Sequence, residues 1–137
     1  MGCDEIVVVI DTCVMIWDAL EPKKLSAKAK KTIEEADQKS NLIISDISIW
    51  EISMLLKKGR IQVDETPANL INTILIARNY IVKSISPEIA ELSVNLNHEI
   101  NNDPADRLIV ATSILENFPL VTADKNLIDA KIVETIW

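Results

Sequence analysis

Short runs of apolar residues alternate with longer amphipathic stretches along this chain. Residues 6–10 are all apolar and mostly β-branched, a pattern typical of a central parallel strand. Further strands are predicted at residues 41–45, 80–85, 120–122 and 132–136. Helical patterns occupy the intervals, at residues 26–39, 47–58, 86–96 and 103–116, with a further helix beginning at Thr66-Pro67. This alternation predicts an α/β domain with a mainly parallel sheet and helices on both faces.

Three of the predicted helices begin with a capping residue followed by proline: Thr66-Pro67, Ser86-Pro87 and Asp103-Pro104. The side chains of Thr, Ser and Asp accept hydrogen bonds from the free N–H groups of a first turn, and Pro is favoured at the first helical position. Gly59 is suited to end the helix of residues 47–58.

The chain has 137 residues, of which 48% are apolar and 4% aromatic, so its core must be largely aliphatic. We found no repeat or flexible linker and expect a single domain spanning residues 1–137. No apolar run approaches the roughly 18–20 residues that span a bilayer, and the first residues lack the positive charge of a signal peptide. A cytoplasmic protein without membrane contact is therefore expected.

Cysteine and histidine chemistry has little support in the sequence. Cys3 and Cys13 lie ten residues apart, and His98 is the only histidine. A zinc site or thiol redox motif needs closer or more numerous ligands. We predict that both cysteines are reduced packing residues and that His98 lies on the surface.

Acidic residues follow the predicted strands at or near their carboxyl ends: Asp11, Glu51, Asp106 and Asp124. Sites in parallel sheets collect at that edge, so we expect these side chains to lie close together. Clustered carboxylates repel one another unless they are protonated or bind a cation. Without His or Cys ligands nearby, the cation expected is Mg²⁺ or Mn²⁺ rather than Zn²⁺.

Each acid also has a purely structural explanation. Asp11 and Asp124 could cap the segments that follow them, and Asp106 is favoured at a helix N-terminus by the helix dipole. Glu51 could form a buried ion pair, because it is the only charge in an apolar stretch of helix. Asp103 is placed to be an N-cap.

Four sequence blocks together resemble the signature of PIN domains, and they are most similar to the VapC-type toxins. They are IDTCV at 10–14, SDISIWEI at 45–52, DPADRLIVATS at 103–113 and LVTAD at 120–124. The resemblance extends over nearly the whole chain and implies a PIN-like three-layer fold. By position, it implies that Asp11, Glu51, Asp106 and Asp124 are the metal-binding catalytic acids, and that Asp103 is a further candidate ligand.

The same resemblance implies an endoribonuclease that uses one or two Mg²⁺ or Mn²⁺ ions and leaves a 5′-phosphate and a 3′-hydroxyl. Thr12 and Thr122 match hydroxyls that hydrogen-bond within the acidic cluster. The implied partners are an RNA substrate, a cognate antitoxin and a second copy of the chain in a homodimer. Two alternatives stay open: an RNA-processing PIN nuclease with a housekeeping role, and an inert PIN interaction module.

The net charge of −7 is the wrong sign for a typical nucleic-acid binder. Bound cations would offset the site acids, so local basic residues can still contact RNA. We predict phosphate contacts from Arg107 and from a cluster after Glu51: Lys57, Lys58 and Arg60. The lysines between residues 23 and 31 are expected to form a solvated helix face.

Four large side chains are candidates for a protein interface, with the core as the alternative: Trp17, Trp50, Met54 and Trp137.

Overall fold

A computed structural model describes residues 5–137 of the chain. Its centre is a five-stranded sheet in the spatial order β3-β2-β1-β4-β5, with every neighbouring pair parallel. The strands are β1 (Val8–Ile10), β2 (Leu42–Ser45), β3 (Tyr80–Lys83), β4 (Leu120–Val121) and β5 (Thr135–Ile136). The prediction of a parallel α/β sheet is therefore confirmed.

Within residues 5–137, seven α-helices connect and cover these strands: α1 (Thr12–Leu20), α2 (Ala27–Gln38), α3 (Ile47–Lys57), α4 (Pro67–Ala77), α5 (Pro87–Asn95), α6 (Pro104–Glu116) and α7 (Lys125–Ala130). A 3-10 turn, Pro22–Lys24, joins α1 to α2. In residues 5–137 no helix is long and apolar enough to cross a membrane.

Alternating side chains of β1 divide the core between the two faces of the sheet. Val8 and Ile10 pack with residues of α1 to α4, whereas Val9 packs with residues of α6 and α7. All three side chains are essentially inaccessible to solvent. Successive side chains of β1 point to opposite faces of the sheet, and both faces are buried, which explains why the strand is continuously apolar.

The predicted helix starts are confirmed by their capping geometry. Ser26, Thr66 and Ser86 each accept a hydrogen bond from the N–H three residues later, and Asp103 accepts one from Ala105. Gly59 follows α3 with a φ of +72°, a left-handed conformation that costs glycine little.

Two helices were not predicted from the sequence. Helix α1 is short and lacks the polar face that marks a surface helix, because most of its residues are apolar. Helix α7 has six residues, too few to show a helical period.

The strand order reverses between β1 and β4, the position where open α/β sheets form ligand crevices. Asp11 follows β1, and Thr122 and Asp124 follow β4. The topology therefore brings polar residues that are more than a hundred positions apart to one point.

Candidate active site

Asp11 is the most deeply buried acid of the site. Its side chain is 6% exposed, at the junction of β1 and α1, and it makes no capping hydrogen bond to α1. The Thr122 hydroxyl donates to Asp11 Oδ2 at 2.7 Å and accepts from the Asp124 N–H at 3.0 Å. Thr122 thus fixes Asp11 and joins the ends of β1 and β4, as the resemblance implied for a hydroxyl at this position.

Glu51 projects from α3 and is half-buried. Its Oε1 atom is inaccessible to solvent and has no hydrogen-bond partner among the described residues. The buried ion pair considered for Glu51 is not formed, because none of the ion pairs in residues 5–137 includes it. Ser48 lies one turn before Glu51 on α3. Its hydroxyl forms a hydrogen bond of 2.8 Å with the hydroxyl of Thr12 on α1.

The start of α6 supplies two carboxylates. Asp103 is the N-cap, as predicted, and its Oδ1 accepts from the Ala105 N–H at 2.9 Å. Asp106, one turn into the helix, accepts a hydrogen bond at Oδ2 from Asn101 Nδ2 at 3.0 Å. Each residue keeps a carboxylate oxygen without a hydrogen-bond partner among residues 5–137, so a capping role for Asp103 does not preclude cation binding.

Asp124 caps α7, which is the structural role considered for it. Its Oδ1 accepts from the N–H groups of Asn126 at 2.9 Å and Leu127 at 3.4 Å. The side chain nevertheless lines the same cavity as the other acids. Capping and membership of the acidic site are therefore compatible.

The predicted acids gather around one cavity of about 180 Å³ at the carboxyl edge of the sheet. Its walls include Asp11, Glu51, Asp106 and Asp124. Glu51, Asp103 and Asp106 each offer an oxygen within 4.8 Å of the others. Asp11 and Asp124 lie outside this trio but line the cavity together with Glu51 and Asp106.

The environment makes three of these acids, Asp11, Glu51 and Asp106, harder to ionise. Burial is the main cause, and it raises the pKa of Asp11 to about 6 against the opposing hydrogen bond from Thr122. Burial also raises the pKa of Asp106 to about 7, opposed by the Asn101 hydrogen bond and reinforced by neighbouring carboxylates. The pKa of Glu51 is raised for the same first reason.

A divalent cation fits this donor set. The ion pairs of residues 5–137 include none of the five acids, so no Lys or Arg neutralises them by direct contact. Glu51 Oε1 is buried with no hydrogen-bond partner in the part of the chain that the structure describes, a costly state that a metal–oxygen bond would relieve. Carboxylates alone, without His or Cys ligands in the trio, suit a hard cation.

Cys13 was predicted to be a packing residue, and that prediction is wrong. The residue is exposed and lines the acid cavity beside Trp17. Although the residue as a whole is exposed, burial of its thiol and then the neighbouring carboxylates raise the pKa of Cys13 to about 12. It carries a free thiol, as predicted, whereas Cys3 lies outside the described residues. His98 is exposed, as predicted, and lies away from the cavity lining.

Arg107 has a different role from the phosphate contact predicted for it. Its guanidinium donates to four backbone carbonyls, those of Ser93, Leu96, Ile100 and Asn101. Four of its five N–H groups are used in this way, so Arg107 holds the segment between α5 and α6 in place. Sequence proximity to Asp106 was misleading, because adjacent helical residues point in different directions.

The other basic candidates are accessible. Lys57, Lys58 and Arg60 are exposed at the end of α3. Arg60 lines a cleft of about 480 Å³ that also includes Cys13 and Trp17, both of which line the acid cavity. Of the three basic residues, Arg60 is thus connected to the acid cavity through the shared residues Cys13 and Trp17.

Two of the four candidate interface side chains are paired with each other. The rings of Trp17 and Trp137 have centroids 5.9 Å apart. Trp50 is 54% exposed, which excludes the core, and it lines a cleft of about 1050 Å³ together with Met54.

Sequence reasoning missed Asn101, Asn126 and Ser48. Asn101 precedes Asp103 by two residues and accepts from its N–H at 2.9 Å, a local turn typical of Asn. That spacing was a usable signal for the turn. The contacts of Asn101 with Asp106 and Asn126 depend on the fold and had no signal in the sequence.

Together, the sheet and the clustered acids define an α/β protein with a pocket lined by carboxylates at the carboxyl edge of its sheet. A family model described as PIN domain matches residues 8–133. Ribonuclease VapC22 of Mycobacterium tuberculosis (strain ATCC 25618 / H37Rv) is 35% identical over 120 residues, which cover 88% of each chain. The chain therefore belongs to the PIN domain family.

Solved structures of the same fold agree with this assignment. VapBC2 from Rickettsia felis, bound to a promoter DNA fragment, superposes with a TM-score of 0.70 at 15% identity, covering 95% of this chain and 97% of that one. A toxin–antitoxin complex from Klebsiella pneumoniae gives a TM-score of 0.64 at 23% identity, covering 95% and 96%. At these identities the likeness establishes the fold alone.

Proposed function

We propose that this protein is a metal-dependent endoribonuclease and the toxin of a toxin–antitoxin pair. The observation that carries the proposal is the carboxylate cavity with its unpartnered Glu51 oxygen, in a chain 35% identical to a ribonuclease. The substrate is RNA, and the cofactor is one or two Mg²⁺ or Mn²⁺ ions. We infer that it acts in the cytoplasm.

Asp11, Glu51, Asp106 and Asp124 would hold the cation, with Asp103 as a further ligand. When bound, the cation lowers the pKa of an attacking water and stabilises negative charge on the phosphate. The hydroxyl of Thr122 keeps Asp11 oriented, and its hydrogen bond favours the ionised carboxylate. The Thr12 hydroxyl similarly opposes the rise in the pKa of Glu51.

RNA would reach the acids along the surface that carries Lys57, Lys58 and Arg60. Arg60 shares a cleft with Cys13 and Trp17, which line the acid cavity. Contacts between these cations and phosphates release counterions, so the affinity for RNA should fall as salt increases. Arg107 is left out of this surface because its donors are engaged.

The antitoxin would cover the acid cavity and the apolar clefts beside it. The solved neighbours from Klebsiella pneumoniae and Rickettsia felis are a toxin–antitoxin complex and a VapBC pair. Trp50 and Met54 offer an apolar wall for such a partner. The homodimer remains a prediction from the family resemblance, and light scattering on the purified protein tests it.

The test is cleavage of mixed cellular RNA by purified protein, with EDTA, Mg²⁺ or Mn²⁺. The Asp11→Asn and Glu51→Gln variants remove one charge each, and Asp129→Asn makes the same type of change at an exposed position of α7. We expect discrete, cation-dependent cuts that the two site variants lose and the control keeps. Cleavage that survives both site variants would refute the assignment of the site.

The housekeeping RNA-processing nuclease shares every site residue and differs in its partner. Co-expression with the product of a small neighbouring reading frame separates the two. Growth arrest on expression that the neighbour relieves supports the toxin, whereas no arrest despite cleavage supports processing. A folded protein that binds cation and never cleaves supports the inert interaction module.

A further inference from the structure

Asn101 makes a hydrogen bond to a carboxylate of the site. It lies between α5 and α6, and its Nδ2 donates to Asp106 Oδ2 at 3.0 Å and to Asn126 Oδ1 at 3.1 Å. Its Oδ1 accepts from the Asp103 N–H at 2.9 Å. Every polar atom of this amide is therefore engaged.

The backbone of Asn101 is held as firmly as its side chain. The Asn101 N–H donates to Asn126 Oδ1 at 3.0 Å, and the Asn101 carbonyl accepts from Arg107 Nη1 at 3.3 Å. Asn126 is fixed in turn by donation from its Nδ2 to the Glu99 carbonyl at 2.9 Å. The backbone N–H and carbonyl of Asn101 are thus both hydrogen-bonded, so the side chain that donates to Asp106 projects from a fixed backbone.

The backbone of Asn126 reaches a second acid. The Asn126 N–H donates to Asp124 Oδ1 at 2.9 Å, while the Asn126 side chain receives both Asn101 donors. Asp106 on α6 and Asp124 before α7 are therefore connected through Asn101 and Asn126. These hydrogen bonds therefore fix the positions of the two carboxylates relative to each other.

We propose that Asn101 is a positioning residue of the metal site. Its side chain donates to one oxygen of Asp106 and holds this carboxylate at a fixed position relative to Asp124. The inference rests on the proposed function of the acids as cation ligands. Groups that orient a metal-binding side chain typically change metal affinity or activity by about 10- to 100-fold when removed. A residue that merely held the loop would alter stability and leave the cation affinity of the folded protein unchanged.

The decisive variant is Asn101→Ser, with Asn102→Ser as its control. The serine hydroxyl can still accept from the Asp103 N–H, as Ser does in local turns, but it is too short to reach Asp106. Asn102 is exposed, and its side chain makes none of the hydrogen bonds found in residues 5–137. Asn101→Gln keeps the amide on a longer arm and serves as the conservative variant.

Mn²⁺ affinity is measured by electron paramagnetic resonance, and kcat and KM are measured separately with a short RNA. We expect Asn101→Ser to weaken Mn²⁺ binding about 10- to 100-fold and to lower kcat, with KM within about twofold of the wild type. Asn101→Gln should recover part of the affinity, and Asn102→Ser should match the wild type. If Asn101→Ser fails to fold, folded Asn101→Thr carries the same test, because its hydroxyl can also accept from the Asp103 N–H and is too short to reach Asp106.

Equal Mn²⁺ affinity of Asn101→Ser and Asn102→Ser would overturn the inference, as would equal affinity of Asn101→Thr and Asn102→Ser where Asn101→Ser fails to fold. Failure of the wild-type protein to cleave RNA would overturn the proposed function instead. The Mn²⁺ comparison does not require cleavage, so the two failures are distinguishable.

Discussion

Replacing Asp106 by asparagine should stabilise the protein when no cation is present. Asp106 is half-buried among other carboxylates, and its pKa is raised from an ordinary 3.8 to about 7. The folded state therefore holds the Asp106 proton more tightly than the unfolded state does. As the pH rises from about 4 to 7, this difference lowers the free energy of unfolding, and the loss is complete above pH 7.

The raised pKa of Asp106 sets the size of this effect. The difference of roughly 3 pH units corresponds to about 4 kcal/mol at full ionisation. Partial exposure and proton uptake by neighbouring acids screen the interaction, so we expect about 1–3 kcal/mol. Asparagine keeps an oxygen that can accept the Asn101 hydrogen bond, so little contact energy is lost.

The sign of the pH dependence follows from the raised pKa. The penalty is nearly absent below about pH 4, where Asp106 is protonated in both states, and it grows as the pH rises toward 7. The advantage of Asp106→Asn in EDTA should therefore appear between these values and level off above pH 7. With saturating Mg²⁺ the order should reverse, because the wild type gains more from binding the cation.

Urea unfolding in EDTA from pH 4 to 8 tests this reasoning, with Asp129→Asn as the exposed control. A destabilised Asp106→Asn variant at pH 8 would refute it. So would an advantage of the same size at pH 4, since a charge effect cannot persist where the charge is absent.

Three further predictions concern residues around the acids. Thr122→Val should lower the free energy of unfolding by about 1–3 kcal/mol, because Asp11 and the Asp124 N–H lose their hydrogen-bond partner. Urea unfolding measures this loss, and Thr122→Ser should restore most of the stability. Arg107→Met should cost about 2–4 kcal/mol and increase hydrogen exchange in residues 96–103, and unchanged exchange there would contradict the structural role. In a Cys3→Ser background, iodoacetamide should modify Cys13 at pH 8 at least about tenfold more slowly than an ordinary cysteine, because a pKa near 12 leaves little thiolate. Modification of Cys13 at the rate of an ordinary cysteine would contradict this prediction.

The strands and the acid-bearing edge were predictable because both follow from short-range rules. Residues 6–10 are apolar on both faces, which only a doubly covered strand tolerates, and the observed strand β1 lies within them. Parallel strands end at one edge, so a carboxylate after each strand meets the others. Asp11 and Asp124 are 113 positions apart, yet both line the predicted site.

The contacts that orient those acids were not predictable in the same way. Arg107 and Asp106 are neighbours in sequence, but one holds a loop through carbonyls and the other faces the cavity. The residue type and spacing of an arginine do not reveal which carbonyls lie within reach. Cys13 was similarly misjudged, because α1 lacks a polar face that would tell its exposed positions from its buried ones.

The acidity of the chain and its proposed action on RNA are compatible because the charge is concentrated where a cation binds. Burial and mutual repulsion raise the pKa values of Asp11 and Asp106 toward neutral pH. A divalent ion removes that repulsion and offsets the local charge, so phosphate would be repelled by the empty cavity and attracted by the loaded one. The same carboxylates that destabilise the metal-free fold would thus make RNA binding at the cavity conditional on the cation. For that reason, RNA affinity measured in EDTA should underestimate the affinity of the loaded protein.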